Sequence, residues 1–197
     1  MKYRLIMLLM IIILVFLTVA VHNYMKTDVE TTTEELIEKT EVIINDIENT
    51  NQVETNIVTK EELKLNDNLI GILEIPKLNI KAPVKEGTTQ SILKYSVGHF
   101  SNSSNWNGNI ALASHNRGDY VAHYFSNIHE LVVGDEIIYK TKFGERRYTV
   151  ENSKQIESTD WSVISNTKEN IITLITCIKN QPNLRFCIQA VEIVEDA

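Results

Sequence analysis

Residues 5–21 read L-I-M-L-L-M-I-I-I-L-V-F-L-T-V-A-V, seventeen positions with no charge and one hydroxyl, Thr18. No other feature constrains this chain so much. As a helix rising 1.5 Å per residue, the run spans roughly 25 Å, near the lower limit for crossing a bilayer. Each Leu, Ile, Phe or Val contributes about −0.3 to −0.6 kcal/mol to insertion. Lys2 and Arg4 precede the run and acidic residues come after it. Cytoplasmic flanks retain positive charge, so the N-terminus is expected in the cytoplasm and the remainder outside. The run is long for the apolar region of a signal peptide, and residues 1–24 are read as an uncleaved anchor. The alternative is a cleaved signal peptide, with Thr18 and Ala20 as the small residues before the cut. Either reading delivers residues 25–197 to the extracytoplasmic side.

Turn chemistry divides the rest of the chain. All seven glycines and all three prolines lie at or after Gly71. Residues 25–67 have neither and are rich in Thr, Glu, Asn and Ile, which reads as a stalk. Thr32 and Glu35 match a capping box, and Leu36, Ile37, Ile43, Ile44 and Ile47 recur at near-helical spacing, predicting a short amphipathic helix. A spacer lifting the domain off the membrane is the expected role; the alternative is an oligomerising or inhibitory segment. Residues 1–67 carry six Lys/Arg against twelve Asp/Glu, whereas residues 68–197 carry thirteen against fourteen. The net charge of −7 therefore belongs mainly to the first third, and no nucleic-acid surface is implied.

From residue 68 the pattern changes to short apolar runs between turns. L-I-G-I-L-E-I-P, L-N-I-K-A-P-V, G-N-I-A-L-A-S-H, V-G-D-E-I-I-Y-K, R-R-Y-T-V-E-N-S-K-Q-I, I-I-T-L-I-T-C and L-R-F-C-I-Q-A-V-E-I-V read as strands. H-Y-F-S-N-I-H-E-L reads as a short helix. Seven or eight strands with little helix predict an all-β barrel or sandwich over residues 68–197. Three side chains of chemical interest fall where strand becomes loop: His115 after A-L-A-S, Cys177 after T-L-I-T, and Arg185 at the opening of the final strand. A cysteine thiolate is a nucleophile. An imidazolium stabilises it and can later protonate a leaving amine, and an arginine can donate to an oxyanion without losing its charge. Cys177 as a small hydrophobe in a core strand is the plainer alternative. A Cys177–Cys187 disulfide across the turn K-N-Q-P-N is a further one.

T-L-I-T-C resembles the TLxTC signature of the sortases, membrane-anchored cysteine transpeptidases of Gram-positive bacteria. I-G-I-L-E-I-P-K-L-N-I-K-A-P-V resembles their first two strands. V-G-H-F followed by G-N-I-A-L-A-S-H-N resembles the segment with their catalytic histidine, and L-R-F-C-I-Q-A-V the strand with their catalytic arginine. The resemblance covers about residues 69–194. It implies an eight-stranded β-barrel in which Cys177 is the nucleophile, His115 the acid/base and Arg185 the oxyanion or substrate-positioning group. It also implies cleavage of an LPxTG-like sorting signal between Thr and Gly, through a thioacyl-enzyme. Surface proteins bearing that signal are the implied donors. The implied acceptor is a peptidoglycan cross-bridge amine, its lipid-linked precursor or a pilin lysine. The short Cys-to-Arg interval resembles class D or class A-like members. No aromatic–Asp lid motif of the pilin-polymerising class precedes the domain. Some class A members bind calcium through acidic loop residues. The loop S-N-S-S-N-W-N-G-N has no carboxylate, so neither a metal nor a cofactor is expected.

Other residues receive plainer readings. His99 is expected to be structural, and His123 and His129 are not expected to hold zinc. Cys187 is read as core, Trp161 as packing, and Trp106 as a loop residue able to line a groove. Thr176 should point away from Cys177, and Asn116 and Arg117 are candidates for substrate contact. A secreted thiol protease, in which water alone resolves the acyl-enzyme, is a competing expectation. A membrane-tethered wall-binding β-domain without catalysis is another.

Overall fold

The computed structural model describes residues 2–50 and 68–194. A long helix, α1 (Lys2–Thr50), precedes eight strands: β1 (Leu69–Ile75), β2 (Ile80–Glu86), β3 (Val97–His99), β4 (Asn109–Ala113), β5 (Glu136–Thr141), β6 (Gly144–Glu157), β7 (Ile171–Ile178) and β8 (Gln181–Glu192), with one short α-helical turn, Gln90–Leu93, between β2 and β3. The strands close into a barrel in the order β1-β2-β3-β4-β7-β8-β6-β5. The pairs β2–β3 and β4–β7 are parallel and the remaining pairs antiparallel. The all-β, eight-stranded expectation holds, with mixed strand directions.

Alternation of side chains across each strand produces two separate apolar regions. Ile110 and Leu112 of β4, Ile172 and Leu174 of β7, and Ile188 and Ala190 of β8 point into the barrel. Phe125, Ile128 and Leu131 from the β4–β5 connection join that core. These three recur every third residue, the period of a 3₁₀ turn rather than an α-helix. The short helix expected here is present only as the 3₁₀ turn Ile128–Glu130, and the residues before it form turns. The opposite, outward face of β4, β7 and β8 buries Ala111, Ile175 and Cys187 beneath Val163 and Ile164 of the 3₁₀ turn Trp161–Ile164. Gly71 permits the barrel to close, since a Cβ there would lie 2.3 Å from the Lys140 carbonyl oxygen of β5.

The stalk differs most from expectation. α1 runs without a break from the apolar segment through Thr50, because no Gly or Pro interrupts it. Thr32 caps nothing; its hydroxyl donates back to the Asp28 carbonyl at 2.8 Å, one turn earlier in the helix. Residues 51–67, the rest of the expected stalk, lie outside the described residues. α1 packs on the outside of β1 and β2, burying Val29 and Thr40. Asp28 lies 3.8 Å from Lys94, and Glu41 pairs with Lys81.

Candidate active site

The joint between β4 and β7 builds the site. The two strands run parallel, from Asn109 opposite Ile171 to Ala113 opposite Ile175. His115 and Cys177 each lie two residues beyond that last pair. Side-chain bonds carry the alignment past the ladder. Thr176 Oγ1 donates to the Ser114 carbonyl at 2.8 Å, and Asn116 Nδ2 donates to the Cys177 carbonyl at 2.6 Å. His115 is thus bracketed on both sides by bonds to the end of β7. Thr176 is buried and directed away from the thiol, as alternation requires.

β8 brings the third residue. Cys177 and Arg185 are direct partners across the antiparallel β7–β8 pair, a relationship that places Cα atoms about 4.5–5.5 Å apart. The register shifts immediately after Cys177, where Ile178 pairs with Gln181. Residues 182–184 therefore bulge on the β7 side of β8, while Leu184 still pairs with Glu157 of β6. Arg185 Nη1 donates to the Pro182 and Leu184 carbonyls of that bulge, at 2.9 and 2.7 Å. The guanidinium carries three further N–H donors. Arg185 does not open the final strand, as the sequence suggested, because β8 begins at Gln181. Lys179 and Asn180 suffice for the turn, with Asn180 in the left-handed region at φ 62°.

By strand alternation Cys177 and Arg185 continue the outward face beyond the patch formed by Ala111, Ile175 and Cys187, and His115 comes two residues after the end of β4. A buried polar cluster holds the cover of that patch. Thr173 Oγ1 donates to Asn109 Oδ1 at 2.7 Å, and Asn109 Nδ2 donates to the Val163 and Ser165 carbonyls at 2.8 and 3.0 Å. The cover ends before Cys177, which is exposed, while Cys187 is fully buried. Cys187 faces Ile175, not Cys177, and both thiols are free. Burial pushes the Cys187 thiol up to about 11, leaving it inert at neutral pH.

His115 is half-buried, and its Nε2 is buried without a hydrogen-bond partner among the described residues. Partial burial lowers its pKa below the ordinary 6.5, and the charge of His123 pushes in the same direction. The imidazole is therefore predominantly neutral at pH 7, with a nitrogen able to accept a proton. Together the groups place an exposed thiol, a predominantly neutral imidazole and a hydrogen-bonded guanidinium near the ends of β4, β7 and the bulge of β8.

The remaining residues sort by contact. His99 is buried, with Nδ1 2.8 Å from Glu86 and Nε2 2.9 Å from the Ser104 carbonyl, a structural tie as expected. Trp106 packs against the core under Arg146, whose guanidinium lies 4.1 Å from its ring centre. Trp161, expected to pack, is 60% exposed and meets Phe100 edge-on. Asn116 is the residue whose role sequence reasoning missed. It was a candidate for substrate contact, whereas its side chain holds the end of β7. The only signal was an amide directly after His115.

Comparison with known proteins adds an independent line. Residues 73–193 match the Sortase domain family. Over 111 residues the chain is 38% identical to Sortase D of Bacillus subtilis, covering 54% of this chain and 53% of that protein. Over 127 residues it is 30% identical to Sortase A of Bacillus anthracis, covering 64% and 60%. These alignments span little more than half the length of either curated relative. In three dimensions it matches a Sortase D5 transpeptidase of Clostridium perfringens with a TM-score of 0.62 and 27% identity, over 84% of this chain and 98% of that one.

Proposed function

The chain belongs to the sortase family, and on that premise we propose that it is a membrane-tethered cysteine transpeptidase of class D or class A-like type. Cys177 is the nucleophile, His115 the acid/base, and Arg185 the group that holds the oxyanion or the substrate. The donors are surface proteins with an LPxTG-like sorting signal. The acceptor is an amine of the cell wall, of its lipid-linked precursor or of a pilin. Residues 5–21 anchor the enzyme with its N-terminus in the cytoplasm and its barrel outside.

The observation that carries the reading is the shared rim: Cys177 pairs with Arg185 across β7–β8, while the Asn116 and Thr176 bonds hold the His115 segment to the end of β7. The chemistry arises from these groups. Neutral His115 takes the proton of the Cys177 thiol, and the sulfur attacks the threonyl carbonyl carbon. The carbonyl oxygen becomes negative in the tetrahedral intermediate, and the free N–H groups of Arg185 stabilise it. Collapse breaks the Thr–Gly bond, and the imidazolium passes its proton to the departing glycyl amine. A thioester to Cys177 remains. His115, again neutral, removes a proton from the incoming amine as it attacks. The second collapse expels the sulfur and returns its proton.

The test is mass spectrometry of the detergent-solubilised chain with a panel of sorting peptides, with and without added amines. The expected result is a covalent Cys177 adduct, cleavage between Thr and Gly, and an amine-dependent joined product. Cleavage by water that no amine accelerates supports a thiol protease instead. Binding without any adduct supports a non-catalytic domain.

A further inference from the structure

The helix that carries the apolar run also determines which way the barrel faces. Two contacts along α1 define the relation. Directly after the apolar run, His22 Nδ1 lies 2.9 Å from Tyr120 Oη, with the two rings edge-on at 5.4 Å. Tyr120 belongs to the loop that leaves β4 through His115. Farther along, Thr40, Ile43 and Ile44 line a cleft with Asn105 and Phe143. Asn105 precedes β4, and Tyr120 comes after it. From His22 to Ile43 the helix axis rises roughly 32 Å. β4 and its parallel partner β7 therefore advance against the direction of α1, toward the end that carries the apolar run. His115 and Cys177 lie at the leading ends of these two strands.

His22 directly succeeds Val21, the last residue of the uncharged run. With residues 5–21 in the bilayer, the headgroup layer begins at the level of His22, and Tyr120 is held at that level. We propose that the tip of the His115 loop, residues 117–120, docks on phosphate-bearing lipid headgroups, so that the catalytic rim opens toward the bilayer surface. The tip has the chemistry for it. Arg117 is exposed and can donate to a phosphate, while the equally exposed Asp119 leaves the tip formally neutral, so attraction rests on the Arg117 hydrogen bonds and on Tyr120 rather than on net charge. Tyr120, like the exposed Tyr24 of α1, is of the type that collects at membrane–water interfaces. Gly118 makes the tip sharp, with φ 146° and its Cβ position only 2.4 Å from Val121. Side-chain contacts between α1 and the barrel resist rotation: Lys94 with Asp28, Tyr95 with Asp28 at 3.3 Å, and Lys81 with Glu41. The proposal rests on the reading of residues 5–21 as a membrane anchor. Its consequence is that both substrates approach Cys177 from chains held at the bilayer surface.

The experiment uses the full chain with Cys177→Ser and one introduced cysteine, Asp119→Cys at the tip or Lys142→Cys at the opposite end. Each is labelled with a fluorophore and reconstituted into phosphatidylcholine–phosphatidylglycerol vesicles containing a headgroup-level quencher lipid. Several-fold stronger quenching at position 119 than at 142 is expected. Equal quenching, or stronger quenching at 142, overturns the proposal. Vesicle flotation separates the two readings: a chain that does not float with lipid overturns the anchor reading and the proposal with it. A seven-residue helical insertion between Val21 and His22 keeps the helix face within about 20° and raises the barrel by roughly 10 Å. It should reduce quenching at 119 to the level seen at 142; unchanged quenching would again overturn the proposal.

Discussion

Cys177 and Cys187 are diagonal neighbours on the same outward face of the barrel, yet they occupy opposite chemical situations. Cys187 faces Ile175 and lies under Val163 and Ile164, where burial raises its thiol to about 11. Cys177 faces Arg185, just past the edge of that cover, and is exposed. The sheet, the face and the residue type are shared. What separates them is the 3₁₀ turn Trp161–Ile164, held down by Asn109 and stopping short of the rim. Reactivity here depends on how far a covering loop reaches.

The largest test of this contrast is a pair of single substitutions. Cys177→Ala should reduce peptide cleavage by about 10⁴-fold or more, as loss of a nucleophile does. Cys187→Ala should leave the rate within a few-fold while costing about 1 kcal/mol of stability from the small cavity, read by denaturant unfolding. Substantial residual turnover in the first variant would break the assignment. Arg185→Ala comes next, with an expected fall of about 10²–10³ in kcat for a lost oxyanion donor. A rise in KM alone would move Arg185 from the oxyanion to substrate binding.

Asn116→Ala removes the bond to the Cys177 carbonyl. It should lower kcat by about two- to tenfold, the worth of one net hydrogen bond, with KM little changed. Asn116→Asp would keep the shape but replace the donor with a charge, and should do no better than alanine. The smallest effect concerns pH. The acidic limb of kcat/KM assigned to His115 should lie below 6.5, because burial and His123 both disfavour the imidazolium. His123→Ala removes the second of these causes and should move that limb upward. Movement downward would show that His123 acts on His115 by another route.

Much of the fold was legible because barrel strands leave a local pattern. β-branched runs broken by Gly, Pro and Asn marked nearly every strand, and strand ends marked His115 and Cys177. The errors share a cause. Residues 123–131 looked helical, but Phe125, Ile128 and Leu131 must all reach one core, and a three-residue period achieves that. K-N-Q-P-N looked like one long turn. Strand pairing with β6, where Leu184 meets Glu157 and Arg185 meets Ile156, draws the chain back into the sheet early. Thr32 looked like a helix start because capping is a local signal, and nothing local showed that the helix was already under way. Trp161 looked like packing because size and apolarity do not reveal which face a turn presents.

The amino-acid sequence by itself determined that an apolar helix precedes a turn-rich β-domain, and that a histidine, a cysteine and an arginine fall near strand ends. Apolar runs, alternation and turn residues act over a few positions, so they can be read directly. The tertiary structure alone decided that β4 lies parallel beside β7, bringing His115 to Cys177 across sixty-two residues of chain. It also decided that α1 lies along the barrel, with the His115 loop beside the end of its apolar run. Both are pairings of surfaces far apart in the chain, made through contacts between residues that no local stretch brings together.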